Sequence, residues 1–519
     1  MNSTKFPQWL DNAVFYEIYP QSFKDSNADG IGDFQGIISK LDYIAELGCT
    51  AIWMNPCFES PFGDAGYDVS DYYKAAPRYG TNEDLKQLFD EVHKRNMHIL
   101  LDLVPGHTSV AHPWFKESMK AEKNEYTDRY IWTDSIWKEP TGYGSLRGIS
   151  DRNGSCAVNF FSHQPALNYG YYKPDPQEPW QQSMEDVGPK KTIEAVIDIM
   201  RFWLKMGCDG FRVDMAGSLV KEDEDGKGTI RLWQKIRQFL DTEFPQAAMI
   251  SEWGEPDKSI KGGFHMDFLL HFGPSHYNDL FRCETPFFAG NGDVSEFVKK
   301  YQELYEKAEH KGLICIPSGN HDMDRLARTI KGEKQKVAFA FLLTMPGAPF
   351  IYYGDEIGMR YQELPGKEGG YTRTGSRTPM QWDDSRGRGF SEADPSLFYL
   401  PVDPDGQAPN VAEQEQREDS LLATVKELLK VRREQPAFSD HQNLEIVYAQ
   451  EGERAFAYRR GNLLLLCNPS GMNTILCNFR ELASAKEEDT PEKLFEIGHG
   501  SFARDELLLA PQSFVIYKF

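Results

Sequence analysis

No apolar run in this chain reaches the roughly 18 residues of a membrane-spanning helix. The opening "MNSTKFPQWLDNAVFYEIYP" lacks the charged-then-apolar pattern of a secretion signal. No C-x-x-C pair and no zinc-ligand spacing is present among the 8 cysteines. Several cysteines sit inside apolar runs, Cys315 in "LICIP" and Cys467 in "LLLLCNP". They read as buried free thiols of a reducing compartment, and a cytoplasmic location is expected. Basic residues are scarce: 57 Lys and Arg face 79 Asp and Glu, a formal net charge of −22. That balance repels nucleic acid and anionic membranes, so neither is expected as a partner, and it suits a neutral one. Short-period repeats and low-complexity tracts are also missing.

At 519 residues the chain exceeds one ordinary domain. Short apolar runs alternate with amphipathic helical patterns. "AVFYEIYP", "CTAIWMNP" and "HILLDLVP" read as buried strands. "GIISKLDYIAELG" between the first two reads as a helix. Thr81 and Asp84 form a capping box for the next one, which carries Leu85, Leu88, Phe89 and Val92. The rhythm stops at a polar, aromatic-rich stretch and resumes with "TIEAVIDIMRFWLKMG". "DGFRVD", "AAMISEW", "GLICIPS" and "APFIYYG" are later strands. Strand–helix–strand alternation predicts a parallel sheet with helical crossovers. The fold class expected is α/β: a (β/α)₈ TIM barrel with an insertion after strand 3 and a C-terminal antiparallel β domain. The barrel is assigned residues 1–107 and 191–436, the insertion 108–190, and the β domain 437–519.

Acidic residues end three of the strands. Asp214 closes "GFRVD", Glu252 closes "AAMISE", and Asp322 follows "LICIPSGNH". The C-terminal ends of barrel strands are where catalytic groups converge. Three carboxylates meeting there repel one another unless the chemistry uses them. Glycoside cleavage does, with one attacking the anomeric carbon and another supplying a proton to the leaving oxygen. Singly, each acid reads better as a helix cap or surface charge. Together, beside Arg212 and His321, they point to a site.

The motifs "GYDVSDY", "DLVPGHTS", "GFRVD", "ISEW", "GNHD" and "RTPMQWD" run in this order through the chain. In them the chain resembles the α-amylase superfamily, glycoside hydrolase family 13. The branch it looks most like holds oligo-1,6-glucosidases, α-glucosidases and trehalose synthases. The resemblance implies Asp214 as nucleophile, Glu252 as general acid/base, and Asp322 as the third acid, binding sugar hydroxyls. Arg212 would hold Asp214 ionised, leaving Glu252 as the protonated partner. His107 and His321 would hydrogen-bond the sugar, Tyr67 would stack beneath it, and Asp68 would bind its hydroxyls. Arg373, after the eighth strand, is a further sugar contact. The activity implied is retaining hydrolysis of short α-glucosides by a neutral-substrate enzyme. Transglycosylation or isomerisation, as in trehalose synthases and sucrose isomerases, is the alternative. A non-catalytic sugar-binding relative is a third reading, disfavoured because all three acids are present.

"DSNADGIGD" has the alternate spacing of a calcium loop: Asp25, Asn27, Asp29, the carbonyl of Ile31, and Asp33, with Gly30 at the turn. A structural Ca²⁺ is expected at residues 25–33, without the usual glutamate at the twelfth position. Three positions depart from the family's pattern. Gly106 stands where Asn usually precedes the histidine, Ala166 replaces an acid, and Met215 to Gly217 follow the nucleophile in place of the usual residues. An unusual aglycone preference is expected from them. Of the insertion's aromatics, Trp114, Tyr130, Trp132, Trp137, Phe160, Phe161 and Tyr169, one or two are expected to touch substrate.

Overall fold

A computed structural model describes residues 6–140, 142–368, 372–485, 491–503 and 506–519. The first residues of the expected barrel segment lie outside these. The centre of the fold is a parallel sheet of eight strands. In chain order they are β1 (Phe15–Ile18), β2 (Ala51–Met54), β3 (His98–Leu103), β4 (Gly210–Val213), β5 (Ala248–Ser251), β6 (Met266–Phe268), β7 (Leu313–Cys315) and β8 (Phe350–Tyr352). Each pairs with its sequence neighbour from β1 to β7, and β1 also pairs with β8. A parallel bridge between Pro317 and Phe350 brings β7 to β8 and closes the barrel.

Strand alternation divides the apolar residues between two cores. Phe15, Ala51, Leu100, Ala248, Ile250, Met266, Leu313 and Phe350 fill the barrel. Their neighbours Tyr16, Ile52, Ile99, Phe211 and Met249 pack outward, in the core that also holds the helices' buried residues. The inner positions continue upward as Glu17, Asn55, Asp102, Arg212 and Glu252, all buried. Polar residues therefore form the top layer of an otherwise apolar interior.

The helix over Asn82–Lys94 carries the expected reciprocal cap between Thr81 and Asp84. "GIISKLDYIAELG" is not one helix but two, Phe34–Ser39 and Leu41–Leu47. The break is at Lys40, whose amide turns back to the carbonyl of Ile37 and whose ammonium sits 4.3 Å above the Trp382 ring. Strand β6 was not read from the sequence because Asp267 interrupts its short apolar run, whereas the equally short β7 and β8 are uninterrupted.

The segment after β3 holds short antiparallel pairings, such as His107 with Ala166 and Tyr130 with Leu167. Toward the C-terminus a five-stranded antiparallel sheet begins at Leu444, and a smaller three-stranded sheet lies beside it in the chain.

Candidate active site

A cavity of about 480 Å³ opens among the loops beyond the C-terminal strand ends. Asp214, Glu252, Asp322, Tyr67, His107 and Arg373 line it. Arg212 and His321 lie just behind this surface, almost fully buried.

Arg212 organises the acids. Its Nη1 donates to Asp214 Oδ1 at 2.9 Å and to Asp102 Oδ1 at 2.9 Å, and its Nη2 lies 2.7 Å from Glu252 Oε2. One guanidinium thus faces three buried carboxylates. Burial, and then the neighbouring Glu252, push Asp214 well above the usual carboxylate range, against the pull of Arg212. This differs from the expectation that Arg212 alone keeps Asp214 ionised. One positive charge does not balance three anions in a dry site, and Asp214 is the acid this raises.

Asp322 behaves oppositely. Burial raises it, but His321, Arg373 and Arg377 outweigh that and hold it well below the carboxylate range. His321 reaches Asp322 at 3.2 Å and Glu17 at 2.9 Å. These partners overcome burial and lift it to about 9, so it is an imidazolium at neutral pH. Tyr67 lies between the two halves. Its hydroxyl is 2.6 Å from His321 Nε2 and donates to Asp102 Oδ2 at 3.1 Å. Burial lowers His107 to about 4, so the ring is neutral: Nε2 donates to the Tyr67 carbonyl at 3.0 Å and Nδ1 accepts from Asn159 Nδ2 at 3.1 Å.

Asp68 is a correction. It does not line the cavity. Its carboxylate accepts from Ser60 Oγ at 2.9 Å and from the amides of Gly63 and Asp64 at 3.0 Å, closing the 60–68 loop. Asp64 faces the cavity instead, paired with Arg373. Arg373 also donates to Asp322 at 2.6 Å, so it straps the loop after β2 to the loop after β7.

The departures acquire reasons. A side chain at Gly106 would place its first carbon 2.6 Å from Asn159 Nδ2. That amide lies 3.1 Å from His107 Nδ1, so the missing side chain makes room for the group that orients His107. Ala166 is fully buried and bridges to His107. Met215 takes the left-handed conformation, φ 44°, which costs a non-glycine residue on the order of 1 kcal/mol or more. The strain aims its amide at Glu252 Oε2, 3.1 Å away.

Of the insertion's aromatics, Phe160 and Phe161 line the cavity. Tyr130, Trp132 and Tyr169 are buried, and Trp137 is 85% exposed. His271 and Phe272, after β6, also line it and went unnoticed for the same reason as β6 itself.

The 25–33 loop lies outside the cavity lining. Asp25 Oδ1 accepts from the amides of Asn27 and Ala28, and Oδ2 from Gly30 N and Ser391 Oγ. Asp33 caps the following helix at Gly36 N, 2.7 Å. Among the described residues no three His, Cys, Asp or Glu side chains converge as metal ligands. A cation there would have to draw on amide and carbonyl oxygens as well: Asn27, the Ile31 carbonyl, and the acceptor capacity left on Asp29 and Asp33.

A closed parallel barrel carrying paired carboxylates at its C-terminal mouth defines a carbohydrate-active enzyme of the glycosidase type. Residues 17–441 match the alpha-amylase family, catalytic domain, and the chain belongs to that family. Trehalose synthase/amylase TreS of Mycobacterium tuberculosis is 33% identical over 485 residues, covering 83% of this chain and 76% of that one. Oligo-1,6-glucosidase of Bacillus cereus is 32% identical over 498 residues, covering 82% and 84%. Among solved structures, trehalulose synthase MutB from Pseudomonas mesoacidophila MX-45 superposes with a TM-score of 0.80 at 26% identity, covering 98% of this chain and 99% of that one. The protein is an α-amylase-family enzyme acting on α-glucosidic bonds.

Proposed function

We propose that this enzyme is a retaining α-glucosidase that removes single glucose units from short α-glucosides. The observation that carries this reading is the Arg373 strap. It joins Asp64 and Asp322 across the cavity wall, and all three residues line the cavity. A wall strapped in this way suits a terminal sugar.

In the first step, Asp214 attacks the anomeric carbon as the glycosidic bond breaks. Glu252 gives its proton to the leaving oxygen. In the second, Glu252 takes a proton from water, whose oxygen attacks the same carbon and displaces Asp214. Arg212 touches both carboxylates. Ionised Asp322 accepts hydrogen bonds from sugar hydroxyls.

The second reading is transfer, in which a sugar hydroxyl replaces water. The mouth supports it, because Met215, Phe160, Phe161 and Phe272 give it an apolar lining on which a released sugar can stack. With maltose, isomaltose and sucrose as substrates, free glucose is expected as the main product. Accumulation of trehalose or a sucrose isomer would establish transfer instead.

A calcium ion at the 25–33 loop is part of the same proposal, with a structural role. Calcium at about a hundredfold excess over its Kd adds roughly 2.7 kcal/mol to the stability of a protein that binds it only when folded. The melting midpoint is expected to fall on chelation and recover with calcium, and to ignore both in Asp29→Ala. Equal midpoints in chelator and calcium would remove the site.

A further inference from the structure

The general acid must stand beside the leaving oxygen, so on the glucosidase reading the leaving sugar lies on the side of Glu252. The lining there is apolar except at one place. Strand β6 pairs Met266 with Ile250 of β5, so Phe268 stands level with Glu252. His271 comes three residues later, on the mouth side of that level, and lines the cavity.

His271 is fixed by its neighbours. Its backbone carbonyl accepts from Asn278 Nδ2 at 2.8 Å, which fixes the turn. Its ring meets Phe272 edge-on, with centroids 5.2 Å apart. Its Nδ1 is buried and has no hydrogen-bond partner. Buried polar atoms are nearly always paired, and the unpaired Nδ1 belongs to a residue that lines the cavity. Burial lowers the ring's pKa, so the imidazole is neutral at neutral pH and offers one donor and one acceptor.

We infer that His271 is the polar contact of the leaving sugar, hydrogen-bonding one of its hydroxyls while Phe272 covers an apolar face. This rests on the glucosidase reading above and extends it to the aglycone side. His271 takes no part in bond cleavage; it selects leaving groups that carry a hydroxyl at its ring.

The test compares a disaccharide with 4-nitrophenyl α-glucoside, whose aglycone has no hydroxyl, on the wild type, His271→Leu and His271→Asn. The ratio of the two kcat/KM values, disaccharide over aryl glucoside, is expected to fall about tenfold in His271→Leu, the worth of one neutral hydrogen bond. His271→Asn, which keeps a donor and an acceptor, is expected to restore part of the ratio and covers the case in which the leucine variant misfolds. An unchanged ratio in both variants would overturn the assignment. A wild type that turns over neither substrate would instead overturn the glucosidase reading beneath it.

Discussion

Asp214→Asn is expected to lower turnover of every α-glucoside by about 10⁴-fold or more, with the fold intact. The amide fills the same space but cannot form the glycosyl bond. Its thermal stability is expected to hold or rise. Asp214 is a buried acid pushed well above its ordinary range by burial and by Glu252, so the native state gains little from it. The substitution removes one of three carboxylates around Arg212 and leaves that guanidinium paired with Asp102 and Glu252. Loss of activity without loss of stability separates a chemical role from a structural one. Turnover near the wild-type level would end the assignment of Asp214 as nucleophile.

Glu252→Gln is expected to lower disaccharide turnover by roughly 10²–10⁴-fold. An aryl glucoside with a good leaving group needs no proton, so its first step persists and the glycosyl-enzyme accumulates. Azide, which needs no general base, is then expected to restore release and to give the α-glucosyl azide. The pH profile follows from the two roles. A protonated Asp214 is no nucleophile, and burial with Glu252 beside it raises the pH at which Asp214 ionises. A general acid without its proton cannot serve the leaving oxygen. The wild type therefore has a bell-shaped profile, and Glu252→Gln loses its alkaline limb on activated substrates. An alkaline limb that survives the substitution would place the acid elsewhere.

What was legible in the chain follows from strand geometry. Asp214 and Glu252 were readable because each follows a run of buried strand residues and occupies an inner position one layer above the apolar core. Asp322 was readable as an acid but not in its charge state, because Arg373 and Arg377 reach it from more than fifty residues away. Asp68 was misread because two acids, at 64 and 68, stand in one loop. Only the loop's closure shows which of them spends its oxygens on backbone amides. Lys40 broke a helix whose periodicity ran straight through it. His271 follows a strand whose apolar run is broken by Asp267, so the residue assigned to the leaving sugar was the least visible in the sequence.

The pair of carboxylates on Arg212 makes the whole account a double displacement, and product stereochemistry tests that most directly. The anomeric form of the first glucose released, followed by NMR before mutarotation, is expected to be α, the configuration of the substrate. A β-anomer as first product would mean a single displacement by water and would contradict the account at its centre.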